Sequence, residues 1–181
     1  MSVITFFAAA PESTVSQSVT EVNSIDWDGS PINGNGIEID SNDRIKCMML
    51  SQLNDLGDTV EEINNTIVFN EFTPFLYPGI HSLIDWLKSV TGASYIGKTR
   101  IVALLPGKDI PDHINNSFYY SKYTRYHIPL VTHPDVKIIE TLTSTEENML
   151  VGNVYTLSNT ISHSFKNNSN TTRIHLIVDL A

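Results

Sequence analysis

Near the C-terminus, the stretch Arg173-Ile174-His175-Leu176-Ile177-Val178-Asp179 sets Ile174, Leu176 and Val178 on one side and Arg173, His175 and Asp179 on the other. That is the two-residue period of a β-strand, with one face for packing and one loaded with ionisable groups. A second segment repeats the device, since Arg125 and His127 share a face opposite Tyr126 and Ile128. Two strands thus each present Arg-x-His, and a chain that must pack both is constrained to a β-rich core.

Further β-type segments at 99–105, 136–142, 149–157 and 162–165 lie between turn signals, whereas helical spacings come earlier. Apolar residues at Ile45, Met48, Met49, Leu53 and Leu56 predict a short amphipathic helix over 44–56, stopped at Gly57. A second helix is expected over 73–90, broken near Pro78-Gly79 and ended by Gly92. Residues 3–10 read as a first strand, and 12–42 as loops and edge strands, with turn clusters at 28–31 and 33–36 around the short β-like Ile37-Glu38-Ile39. The pattern is that of an α+β chain whose catalytic core is a β-sandwich or jelly roll with flanking helices.

At 181 residues the chain suits one globular domain, with 1–98 supplying supporting strands, loops and helices and 99–180 the core that carries the site. The first 72 residues hold 12 acidic and 2 basic side chains, the remainder 8 and 9. No concentrated basic face is visible, which argues against a nucleic-acid partner. No apolar run is long enough for a membrane span, and the single Cys47 cannot form an internal disulfide. A soluble protein in a reducing, cytoplasmic setting is expected.

His163 and Arg173 flank the polar run Lys166-Asn167-Asn168-Ser169-Asn170, read as a hairpin turn; centred on Asn168, it would put the two residues opposite one another. In Pro106-Gly107-Lys108-Asp109-Ile110-Pro111-Asp112-His113-Ile114-Asn115, His113 and Asn115 point to one side and Asp112 to the other. His113 is the natural partner for His163. Paired imidazoles followed by buried arginines suit a divalent metal with an organic dicarboxylate beside it. His81, Trp86, His133 and His175 are read as packing or surface residues, and Tyr119, Tyr120 and Tyr123 as packing or an entrance lining.

These residues resemble the aspartyl/asparaginyl β-hydroxylase family of Fe(II)/2-oxoglutarate oxygenases. The resemblance covers about residues 99–180: Pro-Gly followed by His113-x-Asn115, Arg125-Tyr126-His127-Ile128-Pro129-Leu130, Gly152-Asn153-Val154-Tyr155, and His163 followed by Asn167 and Arg173-Ile174-His175-Leu176-Ile177-Val178-Asp179. It implies a double-stranded β-helix of the cupin-like kind. His113 and His163 would then hold iron, Arg173 would anchor the far carboxylate of 2-oxoglutarate, and Arg125 and His127 would complete that pocket. Asn115 stands where many relatives carry the carboxylate of a facial triad. It leaves three outcomes: a weak or water-bridged ligand, an open coordination position, or a site that has lost its metal. The implied activity is O2-dependent hydroxylation of an amino acid or a peptidyl side chain. The alternatives are a non-catalytic jelly roll binding a carboxylate, and a cupin-like enzyme such as an isomerase, against which Arg173 speaks.

Overall fold

In the computed structural model, residues 2–27, 37–39, 44–53, 59–65, 67–69 and 73–181 are described, with the backbone alone at 37–39, 52–53, 64–65, 68–69 and 73–74. The chain runs β1 (Ile4–Ala9), α1 (Glu12–Asn23), β2 (Ile37–Ile39), β3 (Ile45–Leu53), α2 (Val60–Asn65), β4 (Ile67–Phe69), α3 (Thr73–Leu76) and α4 (Pro78–Thr91). It continues through β5 (Ile96–Leu104), β6 (Asp109–His113), α5 (Phe118–Lys122), β7 (Thr124–Val131), β8 (Val136–Glu140), β9 (Thr145–Glu147), β10 (Asn153–Leu157), β11 (His163–Asn167) and β12 (Arg173–Leu180). The turn clusters at 28–31 and 33–36, and the predicted helix stop at Gly57, lie outside the described residues.

Two antiparallel sheets pack as a jelly-roll sandwich. The larger has the order β1-β10-β7-β12-β5-β3-β2, with β4 also paired to β3, and the smaller is β6-β11-β8-β9. Strand β12 lies between β7 and β5 and is buried at every residue. Its Ile174, Leu176, Val178 and Leu180 join Ile128, Leu130, Ile101 and Ala103 in the core beneath the helices, so Arg173, His175, Ile177 and Asp179 face the other sheet. There, Leu104, Tyr155 and Leu157 of the larger sheet meet Ile138 and Phe165 of the smaller one.

Helix α4 closes the outer face with Ile80, Leu83, Ile84 and Leu87, the i, i+3, i+4, i+7 stripe of an amphipathic helix. Pro78 opens it at a position where no N–H is needed, and Gly92 ends it in the left-handed conformation at φ 70°. Glu21 of α1 caps it, its two carboxylate oxygens accepting the N–H groups of Gly79 at 2.6 Å and Ile80 at 2.9 Å. A Cβ at Gly79 would come within 2.7 Å of Gln17 Cγ, so this close crossing of α1 and α4 requires glycine.

The structure corrects three expectations. Residues 45–53 form a strand, not a helix: Met48 and Leu50 face the helices while Ile45, Cys47 and Met49 face the cavity between the sheets, and a strand apolar on both faces mimics helical spacing. The polar stretch after Glu12 contains a helix, whose Val15, Ser18 and Val22 are buried. The third correction concerns β11 and β12, which do not form a hairpin. β11 pairs with β6 and β8, β12 with β5 and β7, and residues 168–172 cross from one sheet to the other. His163 therefore approaches Arg173 across the sandwich, not along a ladder.

Candidate metal and carboxylate site

Between the sheets lies a cavity of about 290 Å³, lined among others by His113, Asn115, Arg125, His127, His163 and Arg173. All six residues singled out in the sequence meet there. Asp112 points away, accepting from Thr141 Oγ1 at 2.9 Å on the outside of the smaller sheet.

His113 and His163 are register partners on β6 and β11, with ring centroids 4.5 Å apart. Strand β6 escapes a sequence reading because it contains Pro111, which an edge strand tolerates. Each ring is oriented by the carbonyl two residues earlier: His113 Nδ1 lies 2.9 Å from Pro111 O and His163 Nδ1 2.8 Å from Ile161 O. A carbonyl only accepts, so both Nδ1 atoms donate, and in the neutral ring that leaves the lone pair on Nε2. His163 is fully buried, and its Nε2 has no partner among the described residues. Burial also lowers its pKa, which keeps the imidazole neutral. Nδ1 donation to a carbonyl is the usual support of a metal-ligating imidazole. Among the described residues no third His, Cys, Asp or Glu joins the pair, and Asn115 is the further polar side chain at this end of the cavity.

A stack runs from the imidazoles to the arginines. His163 meets the edge of Phe165 at 5.9 Å, and Phe165 lies flat on His127 at 5.9 Å and under the Arg173 guanidinium at 4.7 Å. Arg173 is 1% exposed, and its Nε and Nη1 have no partner among the described residues. Its Nη2 donates to His175 Nδ1 at 2.8 Å. Burial pulls the Arg173 pKa down to about 9, the mark of a cation held without a counter-charge. His127 and His175 are held well below the usual histidine range by burial first, and then by the Arg173 charge.

Arg125 differs from Arg173. Its Nε and Nη2 each donate at 2.8 Å to the two oxygens of Asp179, and Nη2 also donates to Tyr120 Oη at 2.8 Å. Burial opposes its charge, but the Asp179 pair outweighs that and raises its pKa. Arg125 thus lines the cavity as a neutralised pair. The expectation that His175 is a packing residue is too weak, since it holds Arg173, and Asp179, given no role in the sequence reading, holds Arg125. Tyr119, Tyr120 and Tyr123 pack around this pair, Tyr119 and Tyr123 stacked at 4.6 Å, and none of the three lines the cavity. His81 and His133 lie outside it as well.

The residues present fit the group that the resemblance brings: two imidazoles oriented through Nδ1, one with a buried unpartnered Nε2, suit a divalent metal, and a buried guanidinium without a counter-charge among the described residues suits a carboxylate. Among solved structures, an oxidoreductase of the 2OG-Fe(II) oxygenase family from Burkholderia pseudomallei is similar at TM-score 0.64 and 11% identity, over 99% of this chain and 84% of that one. A prolyl-4-hydroxylase from Pseudomonas putida is similar at TM-score 0.52 and 11% identity, over 98% and 91%. At such identities the likeness establishes the fold. Among curated proteins none matches the sequence. Among the described residues no helix is long and apolar enough to cross a membrane. The model of the aspartyl/asparaginyl β-hydroxylase family matches residues 14–181, so the chain belongs to that family.

Proposed function

We propose that the protein is an Fe(II)- and 2-oxoglutarate-dependent hydroxylase acting on a small substrate, amino acids and peptidyl side chains being the class its family brings forward. The observation that carries this reading is one cavity holding two imidazoles oriented through Nδ1, the buried His163 with its Nε2 unpartnered, and, beyond Phe165, a buried arginine without a counter-ion among the described residues. His113 and His163 would hold the metal, Arg173 the distal carboxylate of 2-oxoglutarate. Bound there, the pair would supply O2 activation, the overall conversion being substrate C–H, O2 and 2-oxoglutarate to C–OH, succinate and CO2. The chain's own part is positional. The carbonyls of Pro111 and Ile161 fix the imidazoles, His175 and the Phe165 ring fix the Arg173 guanidinium, and the apolar wall limits water.

Asn115 favours one second reading, a carboxylate-binding module without iron, because an amide adds no charge to the metal site. Anaerobic titration with Fe(II) and 2-oxoglutarate separates the two. The hydroxylase shows the weak visible band of chelated 2-oxoglutarate, lost in His113→Ala and shifted to much higher 2-oxoglutarate in Arg173→Ala. Absence of the band at saturating ligand leaves the binding module.

A further inference from the structure

Three arginines line the cavity, and two are accounted for: Arg125 by Asp179 and Arg173, on the proposed function, by 2-oxoglutarate. Arg100 is left. It lies on β5 with Ile101 and Ala103 turned into the helix-side core, so its own side chain faces the cavity. Its Nε is buried without a partner among the described residues. Arg100 and Arg173 stand at opposite ends of the cavity wall. Arg173 is opposite Leu104 and Ile177 opposite Arg100, four residues along β5, which is about 13 Å at ~3.3 Å per residue. Both still act on the same imidazole, His127, so Arg100 belongs to the same electrostatic site.

The surroundings of Arg100 are apolar. Its register partners are Met49 on β3 and Ile177 on β12, and Val102 follows on the same face. Among the described lining residues none is acidic, so none of them offers an ammonium ion a counter-charge, and the other two lining arginines are already accounted for. The cavity is small for two occupants, since pockets of roughly 300–1,000 Å³ are usual for one drug-sized ligand. We propose that Arg100 is the substrate's anchor, and that the substrate is a small carboxylic acid with an aliphatic body laid along Met49, Val102 and Ile177. A monocarboxylic acid with an aliphatic chain meets this description, whereas an amino acid would leave its ammonium, and aspartate also its second carboxylate, without a described partner. The inference rests on the proposed function and narrows it.

The test uses the protein loaded anaerobically with Fe(II) and 2-oxoglutarate, after the visible band has been recorded. Calorimetry then compares 4-methylpentanoate, its neutral amide and L-aspartate. The acid is expected to bind about tenfold or more tightly than the amide, the worth of one charge-assisted contact, and more tightly than aspartate. In Arg100→Met that still shows the band, the acid-to-amide ratio falls to near one, whereas Arg100→Lys keeps a preference for the acid. On admitting O2, the acid raises succinate release and gains one oxygen atom by mass. Tighter binding of aspartate, equal binding of acid and amide in the parent, or an unchanged ratio in Arg100→Met overturns the assignment while leaving the hydroxylase reading in place. Absence of the band removes the hydroxylase reading, and this inference with it.

Discussion

Arg125 and Arg173 are both buried in the same cavity wall, yet among the described residues one has a carboxylate partner and the other does not, and this difference fixes what each substitution should do. Removing Asp179 leaves the Arg125 charge buried and uncompensated, so Asp179→Ala is expected to lower the unfolding free energy by about 3–5 kcal/mol in urea titrations. An unchanged midpoint would mean the pair is not buried as described. Arg173 behaves oppositely. In the ligand-free protein its charge opposes folding, so Arg173→Leu should stabilise the apo fold by about 1–3 kcal/mol while, on the proposed reading, abolishing binding of 2-oxoglutarate. A destabilised Arg173→Leu would show that the guanidinium supports the fold rather than waiting for a ligand. The loaded face of β12 is legible in the sequence because its period is local. The pairing of Asp179 with Arg125 is not, because it depends on β7 lying beside β12 in a register set by residues 54 apart in the chain.

At the scale of elements, the misread hairpin is the instructive case. A polar run between two strands is the usual signature of a turn within one sheet, and nothing local tells it from a crossing between sheets. The structure locates what commits it. Asn167, fully buried at the end of β11, donates from Nδ2 to Leu104 O at 3.0 Å and to Thr171 O at 2.8 Å, while its Oδ1 accepts from Ser169 N and Oγ. Its backbone also bonds with Gly107 and Lys108. One side chain thus ties the end of β11 to the end of β5 and to the loop that delivers Arg173. Asn167→Ala is expected to cost about 2–3 kcal/mol, since Leu104 O loses a donor in a buried place, Thr171 O keeps only Ser169 Oγ, and the turn at Ser169 loses its acceptor. Hydrogen exchange should report faster opening at 168–172; protection there equal to the parent's would assign the crossing to the flanking strands alone. The same limit explains the 44–56 error. Strand β3 buries Met48 and Leu50 against the helices and Cys47 and Met49 toward the cavity, so its period of two is invisible in apolar content. Helix α1 is hidden in the sequence for the opposite reason, its buried stripe being thin in a Ser- and Thr-rich segment.

For the molecule as a whole, enclosing a site between two sheets buries histidines that the unfolded chain exposes, and stability should therefore depend on pH with a predictable sign. His127 and His175 have folded pKa values well below 6.5, chiefly from burial. In the unfolded chain both take up protons as pH falls through about 6.5, whereas the folded chain does not until much lower pH. Their stabilising contribution is thus intact above 6.5 and is lost as pH falls from there toward the depressed folded values. The slope is about 1.4 kcal/mol per pH unit for each histidine, so about 2.8 for the two together. The expected outcome in urea denaturation between pH 7 and 5 is a steep decline in stability. His175→Asn keeps an acceptor where Nδ1 meets Arg173 Nη2 but cannot take up the proton, so its decline should be shallower by about 1.4 kcal/mol per pH unit. Parallel slopes for the variant and the parent would mean that His175 is already protonated or solvated in the folded protein, and that the sandwich does not seal this end of the site.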